Sequence, residues 1–362
     1  MLGRGVRSPL AGVQTALNEV DRVRRRSGQV LDALGAGPHT TPSRTFEPTP
    51  GVRLRAYSPQ SATGPVVLLV PAPIKRWYVW DLQPDRSVVA RCVAAGMRVF
   101  LAEWTDAGPD EQERGLEEYG DTLLLACLHE VREQTGAHPA LLAGHSLGGT
   151  LAAIFAARRP QLVAGLVLLE APLRFGPDAG AFAPLVAAAP PAGWLRPPRQ
   201  GVPGSFLDAV SAAASPRSFQ LDRYLDLTRS LADPAALATH VRVERWTLDE
   251  FAVPGRLFED VVERLYRSDE LMAGRLAIDG VRVGPASVTA PMLNVLDPRS
   301  RVVPPRSVLP FHAAAASRDK RVLHYRGDIG VALQHVGVLV GRRAHRDLWP
   351  QLLAWMHTTW GS

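Results

Sequence analysis

Four apolar residues, Ala140–Ala143, run directly into Gly144-His145-Ser146-Leu147-Gly148-Gly149, and a small-residue stretch from Thr150 to Arg158 follows without a break. The first reads as a short buried strand and the last as a helix. A chain that passes from strand to helix in so few residues must turn sharply at Ser146. Side chains two positions to either side would collide with the neighbouring backbone, and glycines at 144 and 148 remove those collisions. The helix that starts after Ser146 directs its positive end toward the serine, where the backbone N–H of Leu147 is placed to meet a forming oxyanion. Ser146 is therefore the candidate nucleophile.

The rest of the chain supplies the frame such a turn needs. Apolar runs that read as strands occur at Arg53–Tyr57, Val66–Val70, Arg98–Glu103, Leu166–Leu169, Met292–Leu296 and Arg321–Tyr325. Helical patterns lie between them, notably Val88–Ala95 and Leu116–Gln134. This alternation predicts a doubly wound, mostly parallel sheet, and with the elbow it predicts the α/β-hydrolase fold. The pattern breaks at about residue 175 and resumes near 285. The expected organisation is thus an N-terminal helix and linker over 1–50, a core formed by 51–174 and 285–362, and an inserted helical cap over 175–284 at the C-terminal edge of the sheet. Arg22, Arg24, Arg25 and Arg26 read as a solvated face of the N-terminal helix, and Gly37 to Pro50 as a Pro/Thr/Ser-rich linker.

Composition narrows the class. The 362 residues suit one large domain with an insertion. A net charge of +6, from 41 Lys+Arg against 35 Asp+Glu, is compatible with an anionic thioester but demands no nucleic acid. The two cysteines, Cys92 and Cys127, fall inside apolar helical patterns, which predicts a reducing, cytoplasmic setting. The first residues lack a signal-type apolar core, and no run is long enough for a transmembrane helix. No His/Cys cluster suggests a metal, and no cofactor motif is present.

Further motifs carry a resemblance. Leu68–Leu82, with Pro71-Ala72-Pro73 ahead of Trp77, Tyr78, Trp80 and Asp81-Leu82, resembles the opening motif of polyhydroxyalkanoate (PHA) synthases. Phe100–Trp104, Trp246, Pro254-Gly255, Phe258, Leu265-Tyr266, Val302–Pro305 and Trp349-Pro350 are similar to later signatures of that family, so the resemblance spans roughly residues 40–357. It implies a catalytic histidine in a G-H-I-G-type motif ahead of the Trp-Pro pair. Gly327–Gly330 has that shape with Asp328 in place of the histidine, whereas Gln334-His335-Val336-Gly337 has the histidine and the family's spacing. His335 is the expected base. His324, His345 and His357 are weaker candidates, and His145 reads as packing.

Two departures from the family bear on chemistry. Its nucleophile is a cysteine, where this chain has Ser146; a serine ester lies lower in energy than a thioester and depends more on its base. Its acid is an aspartate at the position of Ser300. Asp297, on the same loop, is the preferred replacement, with Glu170 after the strand Leu166–Leu169 as the alternative. The second oxyanion donor must come from Ala72 or Ile74, because Pro71 and Pro73 have no N–H, and Ile74 is preferred. Trp77, Tyr78 and Trp80 are candidates for lining an acyl pocket.

The expectation is a serine acyl-transfer enzyme, an esterase, thioesterase or acyltransferase. It would act on hydroxyacyl or fatty acyl esters or acyl-CoA thioesters. A polymerising synthase and a catalytically silent homologue serving as a binding or partner subunit are the alternatives. A homodimer or a second synthase-type subunit stays open.

Overall fold

The computed structural model describes residues 9–59, 61–195 and 200–361, so the first eight residues of the N-terminal segment lie outside it. The strands are β1 (Arg44–Thr49), β2 (Val52–Ala56), β3 (Val66–Val70), β4 (Arg98–Trp104), β5 (Ala140–His145), β6 (Val163–Leu169), β7 (Leu276–Ile278), β8 (Val281–Val283), β9 (Met292–Leu296) and β10 (Lys320–His324). Eight form one sheet in the order β1-β2-β4-β3-β5-β6-β9-β10, and β7 pairs with β8 separately. β1, β2 and β4 pair antiparallel, and from β4 onward every neighbour is parallel.

Burial explains which sequences became which strands. β3 (VVLLV), β5 (ALLAGH) and β9 (MLNVL) are buried at every position, because helices cover both sheet faces and both side-chain directions meet core. β2 alternates, with Val52, Leu54 and Ala56 inward and Arg53 and Arg55 reaching Glu103 on β4. Two buried apolar clusters lie on the two faces, one including Phe155, Ile154 and Leu68, the other Trp80, Leu69 and Trp349.

Helix α1 (Pro9–Leu31) precedes the sheet; α2 (Val88–Ala94), α3 (Leu123–Thr135) and α4 (Leu147–Arg158) flank it. α4 starts immediately after Ser146 and is buried over ten consecutive residues, Gly148–Ala157. Ala, Gly and Thr dominate its first turns because the helix approaches the sheet closely. A Cβ on Gly148 would lie 2.2 Å from the carbonyl oxygen of Val70, at the end of β3. That contact sets the spacing between the serine turn and the loop that leaves β3.

Two sequence expectations need correction here. The stretch Gly37 to Pro50 is not wholly linker, since Arg44–Thr49 forms edge strand β1, where Pro48 is tolerated because an edge leaves some N–H positions unpaired. Nor is the N-terminal helix a free solvated face. Arg22 pairs with Glu19 on the surface, but Asp21 is buried and accepts from the N–H groups of Gly204 (3.2 Å) and Ser205 (2.9 Å), at the start of the helix Gly204–Ala214. Between β6 and β9 the chain leaves the sheet and is chiefly helical, and the β7–β8 hairpin in this stretch was not expected from its sequence.

Gly12 and Gly148 are both helical glycines, so helix propensity alone favours alanine at each. Packing separates them, because nothing lies within 4 Å of a Cβ on Gly12. Gly148→Ala should lose about 1–3 kcal/mol in urea unfolding, whereas Gly12→Ala should be neutral or slightly stabilising. Equal effects would contradict the close approach of α4 to β3.

Candidate active site

Ser146 sits at φ 55°, ψ −132°, a conformation that costs free energy for any residue with a Cβ. It is held there from both sides: its N–H donates to Leu169 O at the end of β6 (3.0 Å), and its own carbonyl accepts from Gly149 N (2.9 Å). Leu147 is the first residue of α4, so its N–H has no acceptor within the helix.

His335 lies on a short 3-10 turn, Gln334–Val336, after β10. The loop that carries it is fixed at several points. The carboxylate of Asp226, buried and paired with His240 at 2.8 Å, accepts from Gly330 N (2.9 Å) and Ala332 N (2.8 Å). Trp349, fully buried, donates to Val338 O (2.8 Å), which gives the Trp-Pro pair its physical role. His145 donates through Nε2–H to the carbonyl oxygen of His335 (2.9 Å), since a carbonyl can only accept, and the two rings lie 4.7 Å apart. The residue before Ser146 thus ties the histidine loop to the serine turn, and burial holds its own imidazole neutral, pushed down to about 3.

The carboxylate that faces His335 is Glu170. Its Oε2 lies 3.7 Å from His335 Nδ1, and both atoms are buried without another hydrogen-bond partner. Glu170 Oε1 accepts the N–H of Asp297. Asp297, preferred on sequence grounds, instead closes its own loop: Oδ1 accepts from Arg299 N (2.9 Å) and faces the Arg299 guanidinium at 3.3 Å. Ser300, where the resemblance places the acid, accepts from Val303 N through its hydroxyl (3.1 Å). Asp328 likewise serves its own loop, with Oδ2 accepting from Arg343 N (2.8 Å) and Ala344 N (3.2 Å).

Ser146, Leu147, His335 and Ile74 all line one cavity of about 620 Å³. Its remaining walls are largely apolar and come from the helical stretch over the sheet, with Phe182, Leu207, Phe219, Phe258 and Tyr266 among them. A pocket of this size and character suits an apolar chain ending at a polar reacting group. Trp77, Tyr78 and Trp80 are not among the lining residues. Trp80 is fully buried against His145, the Tyr78 hydroxyl bonds Asp249 (3.0 Å) and Arg245 (2.8 Å), and Arg55 stacks over Trp77 at 4.0 Å. The 3-10 turn Trp77–Trp80 sends Tyr78 and Trp80 into the core and leaves Trp77 half-buried against it. His345 and His357 bond backbone carbonyls of Leu339 and Ala95, away from the cavity. The sequence signal for the true lining was the run of Phe, Leu and Val in the interrupted stretch, which periodicity alone reads as core.

A family model described as alpha/beta hydrolase fold matches residues 65–223. The chain is 28% identical over 347 residues to the poly(3-hydroxyalkanoate) polymerase subunit PhaC of Haloferax mediterranei, covering 94% of this chain and 69% of that protein. The PhaC subunit of Haloarcula marismortui is 27% identical, over 80% of this chain and 60% of its own length. That of Allochromatium vinosum is 25% identical, over 80% of each. The chain is a PHA synthase-like α/β hydrolase. In fold it is similar to a monoglyceride lipase of Saccharomyces cerevisiae, with a TM-score of 0.55 at 14% identity over 88% of this chain and 96% of that one. An enol-lactonase from Burkholderia xenovorans superposes with a TM-score of 0.50 at 16% identity, over 88% and 100%.

In this PHA synthase-like chain neither cysteine is placed for nucleophilic chemistry. Cys92 and Cys127 are fully buried, and burial raises both thiols, Cys92 up to about 12. Among the described residues no group of three or more His, Cys, Asp or Glu is arranged to hold a metal ion, and no helix is long and apolar enough to cross a membrane.

Burial also sets the charge state of the facing pair. It pushes His335 down to about 4 and Glu170 up to about 8, the latter against the stabilising bond from Asp297 N. Proton NMR of the His335 imidazole should therefore show it neutral through pH 6, with its titration near 4. A midpoint near 6.5 would contradict the buried environment.

Proposed function

We propose that the chain is a serine acyl-transfer enzyme in which Ser146 attacks an ester or thioester carbonyl, His335 takes and returns the proton, and Glu170 supports the imidazolium. The observation that carries this reading is the pair of unpartnered atoms, His335 Nδ1 and Glu170 Oε2, facing one another across 3.7 Å beside the strained Ser146 turn. Catalytic hydrogen bonds are often long in an empty site and tighten when charge develops. When Ser146 Oγ adds to the carbonyl carbon, its proton passes to His335 Nε2, and the positive charge formed on the ring draws Glu170 in. The negative charge on the carbonyl oxygen is met by Leu147 N–H at the start of α4 and by Ile74 N–H. The protonated histidine then gives its proton to the departing alcohol or thiol. A second acceptor, water or a hydroxyl, repeats the sequence to free Ser146.

The apolar walls favour hydroxyacyl or fatty acyl chains, and the PhaC relatives favour coenzyme A as the thiol. Those relatives also support a second reading, repeated transfer of 3-hydroxyacyl groups to a growing chain. Incubation with 3-hydroxybutyryl-CoA separates the two: free 3-hydroxy acid marks hydrolysis and an insoluble polyester marks polymerisation. A serine ester is a poorer donor for repeated transfer than a thioester, and we expect the free acid.

On p-nitrophenyl butyrate, Ser146→Ala should lose about 10³-fold or more in kcat. Glu170→Gln should lose up to about 10⁴-fold with little change in KM, and Asp297→Asn should lose less than about tenfold. A crippled Asp297→Asn beside an active Glu170→Gln would return the acid to the β9 loop.

The pH dependence follows from the same burial. Neutral His335 is available above about 4, so its ionisation gives no step near neutrality. The Glu170 carboxylate is raised, so its ionised fraction grows as pH rises through about 8. kcat/KM should keep climbing from about pH 6 to about pH 9, and Glu170→Gln should flatten the climb. A profile levelling just above 6.5 would contradict the assignment.

A further inference from the structure

The loop Pro71–Arg76 carries Ile74, yet it leaves β3 without joining the sheet again. Its only backbone pairing among the described bridges is Lys75 with Glu250, an isolated antiparallel contact to the segment after the helix Pro234–Thr247. Side chains reinforce it: Lys75 Nζ donates to Glu250 Oε2 (2.8 Å) and Thr247 O (2.8 Å), and lies 3.2 Å from Asp208 Oδ1. Trp246 Nε1 donates to Arg76 O (2.8 Å). Glu250 is fully buried, so the ammonium of Lys75 alone would leave much of its charge uncompensated.

The missing charge arrives from α1. Arg24 Nε donates to Glu250 Oε1, and its Nη2 pairs with Asp208 and donates to Thr247 O (3.1 Å). Arg25 Nε adds a bond to Glu250 O (3.2 Å). The fit around this carboxylate is close, since a Cβ on Gly204 would fall 2.1 Å from Glu250 Oε2. One turn earlier Asp21 caps the helix Gly204–Ala214, so α1 is fixed on both sides of Arg24. Arg24 and Lys75 both border the cavity that holds Ser146.

We propose that α1 is a working part of the active site, with Arg24 a positioning residue that holds the Ile74–Lys75 loop in place through Glu250. This rests on the reading of Ser146 as nucleophile with Ile74 N–H in its oxyanion hole. Two cations and two carboxylates balance across four separate segments, so the loop keeps its place only while α1 is docked. Arg24 touches no reacting atom, and its effect falls on the transition state, because the oxyanion donor matters most once charge has formed.

The test compares wild type, Arg24→Ala, Arg24→Lys and the surface control Arg22→Ala on p-nitrophenyl butyrate. Sites are counted by fluorophosphonate titration, so that unfolded protein is not read as slow enzyme. Arg24→Ala should lower kcat by about tenfold or more with KM within about twofold, Arg24→Lys should recover most of it, and Arg22→Ala should match wild type. Unchanged kcat, a rise in KM alone, or no recovery with lysine would overturn the proposal. Should Arg24→Ala not fold, Asp208→Asn weakens the same cluster from the other side and must show a milder form of the same split; an unchanged kcat there overturns it equally. Hydrogen exchange at the Ile74 and Lys75 amides needs no substrate and should quicken in the weakened variants. Inactive wild type would therefore count against the function of Ser146, while unchanged exchange would count against the latch.

Discussion

Everything at this site depends on how closely α4 approaches the end of β3. Gly148 has no room for a Cβ beside Val70 O, and that contact lets the helix begin directly beneath the serine turn. Its consequence is a serine held at φ 55° with Leu147, the first residue of the helix, lining the cavity beside it. The strain is offset by ten buried residues of α4 and by the hydrogen bond from Ser146 N to Leu169 O. Loosening that packing would move Ser146, the Leu147 amide and the loop leaving β3 together, because all three meet at the same few atoms.

A second layer of constraint is electrostatic and comes from burial. His335 and Glu170 face each other in a place that penalises charge on either, which leaves the imidazole neutral and the carboxyl group reluctant to ionise. In the proposed relay such a pair gains little from being charged at rest and much when a proton arrives from Ser146. The Asp297 amide orients the carboxyl group, and His145 and Asp226 orient the histidine loop. The loop where the family resemblance places the acid supplies a backbone N–H to the Glu170 carboxyl group instead.

The fold was largely legible in the sequence because its strongest signals are local. Fully buried parallel strands show as unbroken apolar runs, as in Val66–Val70, and the glycines around Ser146 announce a tight turn. What escaped was decided at long range. β1 is a strand because β2 offers it a partner, although its own residues, RTFEPT, read as linker. Arg24 reads as one of several solvated arginines until Glu250, far along the chain, is brought beneath it. Trp77, Tyr78 and Trp80 could have faced either way, and the direction of one 3-10 turn sent Tyr78 and Trp80 into the core. Which of Asp297 and Glu170 faces His335 turned on a loop of four residues closing on itself through Arg299, which no periodicity encodes.

The central claim is that Ser146 is the nucleophile of a charge-relayed site. It is tested most directly by treating the full chain with a fluorophosphonate, digesting it, and locating the adduct by tandem mass spectrometry. The account predicts one phosphonyl group per chain, on Ser146, and none when His335 is replaced by alanine. An adduct on another cavity serine such as Ser205 or Ser211, or an unmodified Ser146 in folded protein, would contradict it.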